Sequence, residues 1–394
     1  MFVAPVLPAD VIATAKILED AGLLQSLVTR GVITSSQRVL LQQSPLAHSY
    51  SRRAVSPVSA SRTTAIWFAD VLFFAFKAIT QSRIRASDAA FAYVDAVAAK
   101  RVHSPVSAVF AREDCCFKTF DRAKKLGLKR IYQLPTAYWE QVKDLMETEE
   151  AQFAGVGETS ENAVDFAKKR TERKTAELDS AQYVLCPSSF VRDSLPEHRR
   201  PIAKTIPFAI DTNGESNPLE RKRVFLYAGN ITMRKGIHRL LLAWRRLNAY
   251  RTHELRLVGD MFLSEKFLGD FRGMFTHIPR VSSAELNRHY AEASAFVFNA
   301  MADGFGHVFL EAMSHAVPVI ASKNCGAPDV IEHGRNGLLI DYGSDEQLDA
   351  ALDHALSRPS EIAALGREGY ETVCRRAWSD YGRELLDWLN PILA

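Results

Sequence analysis

Two carboxylates, Asp303 and Glu311, stand eight positions apart around a glycine-rich turn, Asp303-Gly-Phe-Gly306. Two cations, Arg234 and Lys235, stand earlier in a second segment bounded by Gly229 and Gly236. Carboxylates accept hydrogen bonds from hydroxyls. Arg meets the oxygens of a diphosphate as a planar fork, and Lys meets them as a compact point charge. Gly304, Phe305 and Gly306 offer backbone N–H groups that a ligand can approach closely, since glycine has no side chain in the way. A helix beginning after Gly306 would aim its positive end into the same space. The combination suits an anionic ligand with hydroxyls beside its phosphates. Taken alone, the Gly229–Gly236 segment reads equally well as a helix start with solvated basic residues. It lacks the Gly-Lys-Ser/Thr ending of a P-loop.

The elements that must hold these residues follow from the apolar pattern. Ala295–Phe298 reads as a buried strand, His307–His315 as a helix with Val308, Leu310, Ala312 and Met313 around Glu311, and Val317–Ala321 as a strand. Val224–Ala228 is a strand before the Gly229 loop, and Ile237–Asn248 is the helix after it. The pattern continues with a strand over Glu254–Gly259 and helices over Asp270–Thr276 and Ser282–Ala293. Three more helices cover Asp345–Leu356, Pro359–Arg376 and Trp378–Leu389.

The first half alternates in the same way. Strands are expected at Phe2–Val6, Leu27–Thr29, Ala89–Val94, Val106–Ala111, Arg130–Leu134 and, briefly, Ile206–Phe208. A helix opens at Pro8-Ala9-Asp10 and stops at Gly22, and another runs from Phe117 to Leu126. Residues 33–63 read as helix and loop over the surface. Thr136–Arg173 reads as mostly helical, with a break at Gly155–Ser160. Leu178–Pro187 closes a helix and adds a strand, and Ser188 and Ser189 cap a short helix. Arg112, Glu113 and Asp114 fall at a strand's carboxyl end, where open α/β sheets bind ligands. Glu113 or Arg112 is therefore a candidate ligand-binding residue, and a structural carboxylate at a helix start is the equal alternative. Two successive βα runs give an α/β protein of two doubly wound domains facing each other, with a linker near Pro207–Pro218.

Composition adds bounds. The 394 residues are 47% hydrophobic and 24% charged, as in an ordinary globular protein of two or three domains. Five cysteines without zinc-ligand spacing, and a start without a basic n-region, read as a reduced cytoplasmic protein. The net charge is +3, yet between Ser51 and Arg130 fifteen Lys and Arg face six Asp and Glu. That excess reads as a solvated basic face or as a peripheral contact with an anionic membrane surface. The apolar run Ala65–Ile79 beside it carries Asp70 and Lys77 and is too short to span a bilayer.

Asp303-Gly-Phe-Gly…Glu311-Ala-Met…Val317-Pro-Val-Ile resembles the E-G-F-G…E-A-M…P-V-I signature of retaining glycosyltransferase family 4. The segment Gly229…Lys235-Gly236 is similar to that family's G-R-x4-K-G loop. Gly326…Asp329-Val-Ile, Gly334…Gly337-Leu-Leu-Ile and Ala181…Val184…Pro187-Ser188 also fit. The resemblance is dense from Tyr183 to Asp341 and thin before Ala89. It implies a GT-B fold, two Rossmann-like domains across a cleft: an acceptor-side domain over residues 1–207, a nucleotide-sugar domain over 208–376, and a last helix, 377–394, crossing back to the first domain.

The resemblance further implies transfer of a sugar, with retention, from a nucleotide-sugar donor to a glycan, lipid-linked or small-molecule acceptor. A UDP- or GDP-linked donor is the substrate, with no separate cofactor and no nucleic-acid partner. Lys235 would bind the diphosphate, Glu311 the ribose hydroxyls and Asp303 the donor sugar, with Gly304–Gly306 holding sugar and phosphates, Gly229, Asn230 and Arg234 completing the donor loop, and Glu113 or Arg112 the candidate on the acceptor side. No DxD pair offers a metal site, so the cations would stabilise the leaving diphosphate. Asn230 stands where the family has Arg, and Asp303 where it has the first Glu. Those two departures sustain an alternative, a GT-B-like binding or scaffold protein with impaired catalysis. A sugar-nucleotide epimerase or a phosphorylase is a third reading, which the Asp303–Glu311 pattern disfavours.

Overall fold

The computed structural model describes residues 1–32, 56–103, 105–157, 165–212 and 221–394. Two parallel sheets organise it. The first has seven strands in the order β3-β2-β1-β4-β5-β6-β7. They are β1 (Phe2–Val3), β2 (Leu27–Arg30), β3 (Thr63–Ile66), β4 (Ala108–Arg112), β5 (Lys129–Gln133), β6 (Tyr183–Cys186) and β7 (Ala203–Thr205). The second has six, in the order β10-β9-β8-β11-β12-β13: β8 (Val224–Ala228), β9 (Glu254–Val258), β10 (Thr276–Ile278), β11 (Ala295–Phe298), β12 (Val319–Ser322) and β13 (Leu338–Ile340). Each sheet starts at its centre, runs to one edge, returns beside its first strand and continues to the other edge. This is the doubly wound order, and it puts a ligand crevice where the winding reverses, outside the carboxyl ends of β1 and β4 and of β8 and β11.

Helices cover both sheets, as an all-parallel sheet requires. In the first half these are α1 (Ala9–Asp20), α2 (Phe68–Thr80), α3 (Arg83–Arg101), α4 (Phe117–Lys125), α5 (Trp139–Gln152), α6 (Lys168–Ser180) and α7 (Ser189–Asp193). In the second they are α8 (Ile237–Arg246), α9 (Glu265–Gly269), α10 (Ser283–Glu292), α11 (His307–Ser314), α12 (Asp345–Ser357), α13 (Pro359–Cys374) and α14 (Trp378–Leu393). α14 returns to the first half. Tyr381 Oη lies 3.0 Å from Thr14 Oγ1 of α1, and a Cβ on Gly382 would stand 3.1 Å from Ile17.

Several expected elements differ. Ala89–Val94 is not a strand but the middle of α3. Ser82 caps that helix by accepting from the Arg85 N–H (3.3 Å), and Ala86, Ala90, Val94 and Ala98 are buried at helical spacing. A short alanine-rich window hides the longer period. Asp270–Thr276 is not a helix: the helix is α9, earlier, and the chain then enters edge strand β10. Its sequence, Thr-His-Ile, is too short and polar to show alternation. The strand expected at Ile206–Phe208 lies just before it, as β7. Strand β3 arises inside the segment read as helix and loop, of which 33–55 fall outside the described residues, as do 158–164 and 213–220.

The halves touch along several seams. Gly304 packs so closely on the loop after β5 that a Cβ would sit 1.9 Å from the Pro135 carbonyl. Ser188 Oγ donates to the Gly304 carbonyl (2.6 Å), and the Ser189 N–H to Asp329 (2.9 Å). Glu149 of α5 accepts from Arg239 (2.6 and 3.0 Å) and from the Tyr342 hydroxyl (2.7 Å), and lies 2.6 Å from His238 Nε2. Burial opposes ionisation of Glu149, but these partners outweigh it and hold the carboxyl down to about 2.

Candidate active site

Both glycine-rich loops leave adjacent strands at the reversal point of the second sheet. β8 feeds Gly229–Gly236 and β11 feeds Asn299–Gly306. In the first loop, the Gly229 N–H bonds the Val258 carbonyl (2.9 Å) and the Tyr227 hydroxyl bonds the Asn230 carbonyl (2.8 Å). Thr232 Oγ1 accepts from the Lys235 N–H (3.2 Å) and caps the turn Met233–Lys235. Gly236 then takes a left-handed φ of 68°, where a Cβ would lie 1.8 Å from the Asn299 carbonyl. Only glycine lets the two loops meet there.

The second loop is anchored on the first. The Met301 N–H bonds the Arg234 carbonyl (2.9 Å), and Arg234 Nε bonds the Ala302 carbonyl (3.1 Å). The Asp303 N–H bonds the Asn324 carbonyl (3.0 Å), and Asp303 Oδ1 accepts from the Phe305 N–H (3.1 Å). Lys235 Nζ donates to Asp303 Oδ2. Burial works against the charge on Asp303, but Lys235 and the Phe305 N–H prevail and keep the carboxyl below the ordinary aspartate range. Asp303 is therefore an anion at neutral pH. Gly306, at φ 95°, turns the chain into α11 with its Cα against the Phe298 ring.

Glu311 lies one turn inside α11. Its Oε2 accepts from the buried Tyr290 hydroxyl of α10 at 2.8 Å. Its carboxylate lines a cleft of about 260 Å³ with Asp211, Thr212, Ser283 and Asn287. His307, four residues earlier, lies flat on Phe208 (centroids 4.7 Å apart, planes 4° apart), and burial lowers its pKa. It forms a neutral aromatic wall. His315 Nδ1 sits 3.0 Å from the Glu311 carbonyl, a packing position.

On the facing half, Glu113 does not join these groups. Residues along a strand alternate in direction, so Arg112 and Glu113 part company at the end of β4. Glu113 is buried, and its Oε2 accepts from Lys174 Nζ (3.2 Å). Beside it Asp114 binds Arg170 (2.7 Å) and Arg173 (2.8 Å), and Glu177 takes the N–H groups of Asp114, Cys116 and Phe117. Burial raises the Glu113 pKa. The network fixes the β4–α4 turn, in which Asp114 adopts φ 71°. Arg112 turns the other way and donates to Asp10 (2.7 Å), which also accepts from Gln133 (3.0 Å). Asp10 acts electrostatically on His307 from across the seam.

Asp10, Gln133, Tyr290 and Asn324 are the site's supporting residues that sequence reasoning missed. Asp10 had one usable cue, its place in the first βα turn of a doubly wound sheet. Tyr290 had none, since a buried helix tyrosine reads as core. Among the described residues there is no group of His, Cys, Asp or Glu able to hold a metal ion.

Comparison with known proteins extends this geometry. Over 118 residues the chain is 32% identical to the GDP-mannose-dependent alpha-(1-6)-phosphatidylinositol monomannoside mannosyltransferase of Mycobacterium tuberculosis, covering 28% of this chain and 31% of that protein. The aligned part thus spans about a third of that relative's length. Among solved structures, Anabaena HepE in complex with UDP superposes with a TM-score of 0.60 at 14% identity, over 99% of each chain. A UDP-forming trehalose-phosphate synthase from Burkholderia xenovorans gives 0.65 at 13%, over 100% of this chain and 99% of that one. The chain as a whole has the GT-B fold, and its residues 210–372 match the family model described as Glycosyl transferases group 1.

Proposed function

We propose that this protein transfers a sugar from a nucleotide-sugar donor, UDP- or GDP-linked, to a hydroxyl acceptor, with retention and without a metal. One observation carries the reading. Lys235 and Asp303 come from separate loops, are brought together at the switch point of the second sheet, and are held there by the backbone bonds of Arg234 and by the contact only Gly236 permits. A diphosphate can compete with Asp303 for Lys235. As the bond from sugar to phosphate breaks, charge gathers on the leaving diphosphate, and Lys235, Arg234 and the start of α11 stabilise it. The freed Asp303 carboxylate then faces the sugar as it becomes cation-like. Glu311, oriented by Tyr290, takes ribose hydroxyls in the cleft beside it. On the other half, Asp10 with Arg112 replaces Glu113 as the acceptor-side carboxylate.

Unpaired thiols at all five cysteines agree with a reducing, cytoplasmic setting. The relative's GDP-mannose and the UDP bound in HepE support both donor bases equally. Calorimetric titration with UDP, GDP, ADP and their sugars names the donor. In the same experiment Lys235→Ala should weaken diphosphate binding by about 1.5–3 kcal/mol and leave nucleoside binding unchanged. Equal loss for both ligands would remove Lys235 from the phosphates. Nucleotide binding without turnover of any donor would favour the scaffold reading, which Asn230 and the shortened Asp303 support.

A further inference from the structure

Eleven large hydrophobic side chains stand in solvent among the described residues, and six of them, Trp67, Phe68, Val71, Phe74, Phe76 and Ile79, fall on α2 or at its N-cap. Ile79 is 79% exposed and Phe74 61%. An ordinary surface helix is polar on its outer face. The outer stripe of α2 is Val71, Phe74, Ala75 and Ala78, at spacings of three and four, and every member is apolar and exposed. No helix among the described residues is long and apolar enough to cross a membrane, so α2 is not a span.

The position of this helix can be fixed from its contacts. Phe68 lies on Tyr93 (centroids 5.2 Å apart), which sets the first turn of α2 beside the middle of α3. The chain reverses at Gln81, φ 55°, and Ser82 starts α3. Asp88 of α3 binds Arg170 and Arg173, the same guanidinium groups that hold Asp114 just beyond the carboxyl end of β4. Asp88 is thus level with the strand ends, and the sheet-packing residues Ala90, Val94 and Ala98 come after it. What precedes it, the first turn of α3 and the last turns of α2, stands past the sheet by about 8 Å at 1.5 Å per residue. This is the rim of the first half on which Asp10 and Arg112 lie.

Charge selects the partner. From Val71 to Ser87 the sequence has Lys77, Arg83 and Arg85 and no acidic residue, and all three cations are exposed. In a symmetric pair of copies these cations would meet their own kind. A bilayer with anionic head groups matches both features, because apolar side chains enter the acyl boundary while Lys and Arg stay at the phosphates. We propose that the tip of the α2–α3 hairpin docks on an anionic lipid surface, with Phe74, Phe76 and Ile79 inserted and Lys77, Arg83 and Arg85 on the phosphates. The docking needs only the hairpin. Its consequence, that the acceptor hydroxyl is presented from the lipid at the cleft rim, rests on the glycosyltransferase reading.

Flotation of the full chain with vesicles tests it. The protein should bind vesicles of phosphatidylcholine with phosphatidylglycerol, bind phosphatidylcholine alone poorly, and detach as salt rises. The triple variant Lys77→Ala, Arg83→Ala, Arg85→Ala should weaken binding on the order of a hundredfold. Phe74→Ser with Ile79→Ser should abolish it. All these side chains are exposed, and unchanged circular dichroism and melting will show that the variants fold. Binding indifferent to salt and lipid charge, or variants that bind as well as the parent, overturns the proposal. So does a solution dimer dissolved by the two serines in a chain that binds no vesicle. Titration of each variant with UDP and GDP keeps the two readings apart: lipid binding without nucleotide binding leaves the docking standing and removes the glycosyl-transfer reading.

Discussion

The two sheets share one winding order and use charge in opposite ways. In the second half, Glu311 lines a cleft, Lys235 and Asp303 pair beside it across two loops, and each carboxylate is held by a few bonds from loop backbone, Lys235 or one tyrosine. In the first half, Arg170, Arg173 and Lys174 of α6 pair with Asp88, Glu113 and Asp114. Both are dense charge clusters at the carboxyl ends of strands, so position alone does not separate site from scaffold. Multiplicity does. In the scaffold cluster Asp88 and Asp114 each bind two guanidinium groups, whereas Lys235 and Asp303 form a single pair, the one a diphosphate would exchange on the proposed reading.

The largest effect should come from breaking the scaffold cluster. Lys174→Ala leaves Glu113 and Asp114 short of a cation in a buried place and should destabilise the fold by about 3–5 kcal/mol. UDP or GDP affinity per folded molecule should not move. A small change in denaturant midpoint together with altered nucleotide binding would overturn the division between the halves.

The exchangeable pair should behave in the reverse manner. Asp303→Asn should reduce turnover on the order of a hundredfold or more, as expected for one strong electrostatic contact made mainly in the transition state. Diphosphate affinity should hold or rise, because Lys235 loses its competitor. Asp303→Glu should retain activity. If steady-state kinetics gave a raised KM with an unchanged kcat for Asp303→Asn, the residue would be a ground-state binder only.

The smallest effect sharpens the role of Glu311. Tyr290→Phe removes a single hydrogen bond and should cost about 0.5–1.5 kcal/mol of nucleotide affinity. The loss should be larger for ribonucleotides than for their 2′-deoxy counterparts, since the tyrosine acts by aiming the carboxylate. Equal losses for both sugars would reduce Tyr290 to a packing residue.

Legibility followed the same division. Gly229, Gly236, Gly304 and Gly306 could be read because each marks a backbone that a side chain would obstruct, and the cations and carboxylates of that half sit within a few residues of those glycines. Glu113 stayed open between an acceptor-side role and a structural carboxylate because its neighbours at a strand end look alike in sequence. The one-residue step from Arg112 to Glu113 reverses the face, and the partner that claims Glu113 is Lys174, far along the chain. Ala89–Val94 failed for a related reason: six apolar residues fit a strand or a helix equally, and the cap at Ser82 with the burial of Ala98 decides it.

The sequence by itself determined the α/β alternation in outline, the two glycine-rich loops, and the residue types offered to phosphates and hydroxyls. These are local properties, fixed by side-chain period and by the freedom of glycine. Only the tertiary structure decided which charge meets which partner. That depends on what lies opposite them: Asp303 against Lys235, Glu311 against Tyr290, Asp10 against Arg112, Glu113 against Lys174. Each partner is brought in by the winding of the sheets across tens to hundreds of residues. A buried charge keeps its ionisation only with a partner in place, and no local pattern names that partner.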